Sequence, residues 1–274
     1  MLFLYHGETA VCAAKVRLAL AEKQLAWDGQ VLDLQRGDQF APEYIKLNPN
    51  SVVPTLVHEG HGFREVLIES TVINEYLDDC FEGHPLMPTN AVGRARVHLW
   101  TKREDGIHDV INTMTSALIF RHDLLRKTPE EQAKRQAAIP DPARQKKWRE
   151  LLDNGLASPV VADALIRFAR HMRDMERALT QSPWLGGDAF TLADVGLVSF
   201  FYRLQVMHCD QLWQAHYPRV GDWFERCKAR PSFEEAIGRY ITPPRRANYS
   251  KLAAPLQGQV EVQFGKALAV IGKP

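Results

Sequence analysis

Several short clusters in this sequence carry side chains able to do chemistry. Glu69-Ser70 sets a carboxylate and a hydroxyl directly ahead of the periodic run Val72, Ile73, Tyr76 and Leu77. A helix opening there presents unpaired backbone N–H groups and the positive end of its dipole, an anion site beside both side chains. Ser70 also suits the plainer role of helix N-cap. Thr9 and Cys12 stand just before a helix-favouring stretch containing Val16, Leu18, Ala19 and Leu20. A cysteine at a helix N-terminus has its thiolate stabilised and can exchange disulfides; the alternative is a small buried residue packed on the preceding strand. His58 and His61 flank a turn without helical i, i+4 spacing and without an evident third ligand, so no metal site is expected. Thr191 and Asp194 form a Thr-x-x-Asp variant of the capping box ahead of an apolar helix, a structural device.

The elements that must position these residues follow from periodicity. Leu2 to Tyr5 is a short apolar run read as a buried strand, followed by a helix ending near Gln24. Trp27 to Leu34 alternates loosely as a second strand closed by Gly37, and Pro42 to Leu47 reads as a short helix because proline suits the first helical turn. Thr55 to His58 and Val66 to Ile68 flank Glu59-Gly60-His61-Gly62 as a hairpin, and a helix runs from Ser70 to near Cys80. The order is βαβαββα, a parallel pair with a helical crossover followed by an antiparallel hairpin. Gly83, Pro85 and Pro88 mark a linker over 81–90.

Beyond it strand signals almost vanish. Val97, Trp100, Glu104, Ile107, Ile111 and Leu118 predict one long helix, with further helices near 129–138, 143–152, 160–180, 192–207 and 217–228. The residues after Pro243-Pro244 lack strong periodicity and are expected to wrap the surface or stay mobile. The expected domains are therefore 1–80, a helical domain over 91–242 with an insertion near 121–158, and a tail over 243–274.

Composition narrows the function classes. Lys and Arg (34) nearly balance Asp and Glu (33), so no global field draws nucleic acid or an anionic membrane. The basic stretch Lys134 to Arg149, broken by Pro140 and Pro142, reads as a solvated helical insertion. Cysteines 12, 80, 209 and 227 form no metal-binding or redox pattern. The start Met1 to His6 is too short an apolar run for a secretory signal, and Leu192 to Met207, the richest apolar stretch, contains Asp194 and Arg203. A cytoplasmic, reduced protein is expected.

Over nearly its whole length this pattern resembles the glutathione transferase family. The resemblance rests on Asn48-Pro49-Asn50-Ser51-Val52-Val53-Pro54-Thr55-Leu56, on Glu69 to Leu77, and on Phe190-Thr191-Leu192-Ala193-Asp194. It implies a thioredoxin-like N-terminal domain followed by an all-helical domain, glutathione as co-substrate without a metal, and a homodimer. By this likeness Pro54 is cis and Val53 pairs its backbone with the cysteinyl unit of glutathione like an added strand. Ser70 and the helix end take the γ-glutamyl carboxylate, Glu69 pairs with the ammonium group, and Gln39 lies near the glycine carboxylate. Within the family, the chain is similar to bacterial β-etherases of the lignin-degrading type, sharing Trp100-Thr101-Lys102, Ile139-Pro140 and Lys147-Trp148-Arg149. In those enzymes glutathione attacks a carbon bearing an aryl ether and a phenol leaves. The acceptor, a small hydrophobic electrophile, is then expected at His108, Ile111, Asn112 and Thr115.

The pattern breaks where the family places a Ser, Tyr or Cys against the sulfur: that position falls on Ala10. Thr9, one residue away, or Cys12, two away, can substitute after a local shift, and backbone N–H groups of the Thr9 to Cys12 turn can also hold the sulfur. Lowering a thiol pKa from about 8.5 to about 6.5 raises the thiolate fraction at neutral pH roughly 25-fold. The same drop lowers intrinsic nucleophilicity roughly eightfold, a net gain of only about threefold. Positioning contributes far more, so the missing hydroxyl does not remove catalysis. Three readings remain open: S-transfer to an electrophilic, aromatic carbon, including detoxification or aryl ether cleavage; deglutathionylation through Cys12; and a non-catalytic glutathione-binding scaffold.

Overall fold

The structure, a computed structural model, describes residues 1–139 and 141–272. Pro140, which breaks the basic insertion, and the last two residues of the expected tail lie outside the described residues. The chain forms two compact units. One comprises Met1–Glu104, Gln181–Ser199 and Trp223–Thr242; the other comprises Asp105–Thr180, Phe200–Asp222 and the described residues from Pro243 on.

The first unit opens with β1 (Leu2–His6), α1 (Val11–Glu22), β2 (Asp28–Val31), α2 (Pro42–Leu47), β3 (Thr55–Gly60), β4 (Phe63–Ile68) and α3 (Ser70–Cys80). The sheet order is β2-β1-β3-β4, with β2 parallel to β1 and the other neighbours antiparallel. This is the βαβαββα arrangement expected. β2 is shorter than the alternation suggested and exposed throughout, as suits an edge strand. Gly29 lies so close to the Leu4 carbonyl that an added Cβ would fall 2.5 Å from its oxygen, so only glycine fits there. The hairpin is tighter than the four-residue connection read from sequence. Glu59 pairs with Arg64 and Gly60 with Phe63, leaving only His61-Gly62 as the turn, with Gly62 at φ 84°.

α1 is buried nearly all round, including Lys15 and Arg17. Its apolar faces pack on α3 and on α13 (Pro231–Ala236). The long helix expected over 97–118 is divided. α4 (Ala91–Thr101) ends in a tight Arg103 N–H to Trp100 carbonyl bond of 2.9 Å, and α5 (Glu104–Thr115) begins after two intervening residues. The break carries no Gly or Pro. Glu104 turns inward to a buried ion pair with Lys15 and also accepts from the Thr71 hydroxyl, a tertiary demand that periodicity cannot reveal. α5 runs on into a π-helical turn over Ser116–Phe120.

Helices α6 (Arg121–Leu125), α7 (Pro129–Ala137) and α8 (Pro142–Asn154) build the insertion, capped by Thr128 with Glu131 and by Asp141. α9 (Pro159–Ala178) follows, capped by Ser158. α10 (Leu192–Val206) is buried on every face over most of its length, which explains its apolar richness without a membrane. Among the described residues no helix is long and apolar enough to cross one. The short α11 (Gln211–Gln214) and α12 (Pro218–Lys228) precede α13. The expected tail instead forms α14 (Pro243–Ala253) and α15 (Gln257–Ile271). α15 packs along α9 and buries Val260, Phe264 and Ala267, one narrow stripe that its interspersed polar residues hide from a window average.

Candidate active site

The strand pairing gathers the sequence-selected residues of the first unit at one end of the sheet. Tyr5 pairs with Thr55 and Thr55 with Ile68, while His6 lies opposite Val31. The turn leaving β1, the loop leaving β2, the step entering β3 and the residue leaving β4 therefore share one edge. Binding sites of open α/β sheets form at such carboxyl edges. Leu32, Tyr44 and Val53 pack there in one buried cluster, against which Tyr5, Ala10, Leu34 and Leu47 also pack.

The peptide bond Val53-Pro54 is cis. Its approach is clamped by two side chains. Asn48, on the residue after α2, donates to the Val52 carbonyl at 2.9 Å and to the Thr55 hydroxyl at 3.1 Å. Tyr44, from α2, donates to the same carbonyl at 2.6 Å and lies 2.8 Å from the same hydroxyl. Burial pushes the Tyr44 hydroxyl above its ordinary range, so it stays a donor at neutral pH. Tyr44 was not singled out from the sequence, and Asn48 entered only as the first residue of the motif ending at Leu56. The Asn48-Pro49-Asn50 turn was the available signal, since a buried asparagine there must pair its amide with nearby backbone.

Glu69 and Ser70 lie beside this step but not as the sequence suggested. β4 ends at Ile68 and α3 begins at Ser70, so a single residue makes the turn. Glu69 occupies the N-cap position at φ 69°, a left-handed conformation rare for a side chain of its size, and Ser70 is the first helical residue rather than the cap. Backbone strain of this kind concentrates where groups must be aimed at a ligand. The exposed Glu69 carboxylate accepts from Asn50 at 3.4 Å, while Ser70 is buried at the helix N-terminus.

Gln39 falls in a 3-10 turn over Asp38–Phe40 that follows Gly37 at φ 91°. Its Nε2 donates weakly to the Leu34 carbonyl at 3.4 Å, and its Oε1 is buried without a hydrogen-bond partner. The bond to the Leu34 carbonyl sets the amide orientation, so the unsatisfied position is an acceptor; donating to a ligand there requires the amide to turn over and give up that bond.

Between β1 and α1, Gly7 to Ala10 forms a turn closed by the Ala10 N–H and the Gly7 carbonyl at 3.3 Å. Ala10 is the N-cap of α1 and offers no side-chain cap. Thr9 and Cys12 are both half-buried, Cys12 in the first turn of the helix. The other thiols differ. Burial pushes Cys209 up to about 12 and Cys227 well above its ordinary value, and Cys80 is exposed at the end of α3. Under the turn, burial and the neighbouring Arg17 charge lower His6 to about 4, so its imidazole is neutral.

The four residues proposed for the acceptor lie on α5. His108 stacks on Phe200 with ring centroids 5.9 Å apart, and Asn112 lies 3.1 Å from its Nε2. Ile111 and Thr115 are buried, and the Thr115 hydroxyl donates to the Ile111 carbonyl at 2.7 Å. Next to His108, Asp109 pairs with Lys147 of the insertion and, at 2.9 Å, with Arg167 of α9. Partial burial opposes ionisation of Asp109, but hydrogen bonds from these two cations hold its carboxyl below the usual range. His58, discounted as a metal ligand, is 2.6 Å from the Tyr76 hydroxyl. Among the described residues no group of His, Cys, Asp or Glu could hold a metal ion.

Comparison with known proteins agrees with this geometry. Residues 11–80 match the family described as "Glutathione S-transferase, N-terminal domain", and residues 158–226 match "Glutathione S-transferase, C-terminal domain". Together these segments span just over half of the chain. Protein LigF of Sphingobium sp. strain SYK-6 is 27% identical over 239 residues, covering 85% of this chain and 91% of LigF. The crystal structure of that protein, described as a β-etherase, superposes with a TM-score of 0.73 at 26% identity, covering 87% of this chain and 99% of the other. Tetrachloro-p-hydroquinone reductive dehalogenase of Sphingobium chlorophenolicum is 25% identical over 240 residues, covering 85% and 94% respectively. A small mixed sheet, a helical remainder and both family domains in order lead to one conclusion: the chain belongs to the glutathione S-transferase family.

Proposed function

We propose that this glutathione transferase directs the thiolate of glutathione at an electrophilic carbon of an aromatic substrate, with a β-aryl ether as the first candidate. The observation that carries the reading is the convergence at one sheet edge of the cis Val53-Pro54 step, the strained Glu69 with Ser70 at the α3 N-terminus, and the uncapped α1 turn. In this reading the backbone of Val53, next to Pro54, pairs with the cysteinyl unit. Ser70 and the α3 amides take the γ-glutamyl carboxylate, Glu69 takes the ammonium group, and Gln39 the glycine carboxylate. The Thr9 to Cys12 turn holds the sulfur. The acceptor lies against His108, Ile111, Asn112 and Thr115 in the helical domain over 91–242. Sulfur forms a bond to carbon as the carbon–oxygen bond breaks; the phenolate leaves with the bonding pair and takes a proton from water. The likeness to a β-etherase and to a dehalogenase of a chlorinated hydroquinone supports an aromatic substrate. The reading includes a cytoplasmic homodimer.

One feature favours the alternative of thiol–disulfide or deglutathionylation chemistry: Cys12 stands in the first turn of α1, where a thiolate is stabilised. Glutathione titration followed by tryptophan fluorescence, with turnover of a panel of aryl ethers and aryl halides, separates the two. Glu69→Ala and Ser70→Ala are each expected to weaken glutathione binding at least about tenfold, the scale of one lost charge-assisted hydrogen bond. Unchanged affinity in both sinks the site. Retained aryl turnover in Cys12→Ser removes the disulfide chemistry, whereas its loss together with disulfide reductase activity in the native protein favours it.

A further inference from the structure

We propose that Arg17 is a positioning residue for the glutathione sulfur: its guanidinium fixes the Gly7 to Ala10 turn and so aims the backbone amides that lead into α1. This rests on the reading that this turn receives the thiolate.

Arg17 stands two turns into α1, and its side chain runs back toward the helix N-terminus, as helical geometry directs. The guanidinium then lies beneath the turn. NH1 donates to the Gly7 carbonyl at 3.3 Å and lies 3.1 Å from His6 Nδ1; NH2 donates to the Glu8 carbonyl at 3.3 Å. From the other side, Nε donates to the Ala236 carbonyl at 2.9 Å, and the planar group lies 3.7 Å from the centroid of the Tyr240 ring. The residue is 2% exposed. The titratable and charged groups around it are His6, Glu8, Arg239 and Tyr240. Burial lowers the guanidinium to about 10, which leaves it charged at neutral pH. It can then only donate, and His6 Nδ1 must accept, so the imidazole carries its proton on Nε2.

Two consequences for the turn follow. The Gly7 oxygen accepts from both Arg17 and the Ala10 N–H, so one atom joins the closure of the turn to the buried cation. In a trans peptide the N–H points opposite to the C=O. With the Gly7 and Glu8 carbonyls turned to the guanidinium, the N–H edges of the same two peptides face away from it. Ala10 supplies no side-chain cap, so at that position only main-chain N–H groups can donate, and the path of the main chain, which also carries Thr9 and Cys12, decides the geometry. A lysine would keep the charge but lose the planar fork that engages successive carbonyls.

The test compares two ligands. Glutathione reports sulfur ionisation through thiolate absorbance across pH, and S-methylglutathione reports binding without an ionisable thiol. In Arg17→Lys the pKa of bound glutathione is expected to rise by about one unit, an approximately tenfold smaller thiolate-to-thiol ratio at fixed pH. S-methylglutathione affinity is expected to stay within about twofold, because the Val53 and Glu69 contacts persist. Tyr240→Leu, which removes the ring behind the guanidinium together with its contacts to His6 and Arg239, should shift the pKa in the same direction by less, and serves if the lysine variant fails to fold. An unchanged thiolate pKa, or equal loss of both ligands, overturns the role of Arg17. If the native protein shows no bound thiolate near neutral pH, the sulfur site itself is wrong and the role of Arg17 falls with it.

Discussion

His6 shows how one side chain can tie this site to solution conditions. Its imidazole is held to about 4 in the fold against an ordinary 6.5, first by burial and then by the charge of Arg17. The unfolded chain therefore binds a proton that the folded chain refuses across the interval between those values. The contribution is fully present above about pH 6.5 and is lost as the pH falls toward about 4, reaching about 3 kcal/mol in all. Urea unfolding of the native protein and His6→Gln checks this. The stability difference should shift against the native protein by that amount between pH 7 and pH 4, and a pH-independent difference contradicts it. Neither His6 nor Arg17 stood out in the sequence. The available signal was indirect: a helix with apolar residues on every side leaves Lys15 and Arg17 no solvated face, so each must be paired within the fold.

At the scale of elements, Asp194 joins pieces of chain far apart in sequence. Thr191 was expected to cap α10 with Asp194, and the Thr191 N–H and hydroxyl both donate to Oδ2, at 2.9 and 3.2 Å. The structure adds the Leu185 N–H and the Trp223 indole on Oδ1, at 3.0 and 2.8 Å. Four donors converge on one buried carboxyl, a convergence that an amide cannot match. Asp194→Asn turns an N–H₂ toward other N–H groups and should lower stability by about 2–4 kcal/mol in urea unfolding. A loss below about 0.5 kcal/mol would show that the network has little energetic role. The same contrast between local and distant demands explains the divided α4 and α5. Val97, Trp100, Ile107 and Ile111 are buried on either side of the break, while the pairing of Glu104 with Lys15, Thr71 and the close face of Gly196 depends on three other elements.

For the whole molecule, the main departure from expectation is the region beyond Pro243. Expected to wrap the surface or stay mobile, it forms α14 and α15 as part of the second unit, with Val260, Phe264 and Ala267 covering α9. Burying side chains of this kind contributes roughly 1.5–3 kcal/mol each for valine and phenylalanine. Ending the chain at Thr242 should expose that face of α9, lower the unfolding midpoint in urea and raise binding of a hydrophobic dye. A truncated protein with the native midpoint would show that α15 adds nothing to the second unit.

What the sequence by itself determined is what local chemistry enforces: the βαβαββα order, the Pro42 and Ser70 helices, the insertion helices, and the candidate segments at 9–12 and 69–70, to which the family resemblance added 53–54. These follow from residue types acting within a few positions of one another. The tertiary structure alone decided which of those segments meet. β1, β3 and β4 pair so that Tyr5, Thr55 and Ile68 share one sheet end, and that pairing brings the α1 turn, the cis proline and Glu69 to a common edge. It also decided that Glu69 rather than Ser70 occupies the cap, because a strand and a helix with one residue between them leave that residue to make the whole turn. Contacts across a sheet depend on register and burial, which no short window of sequence contains.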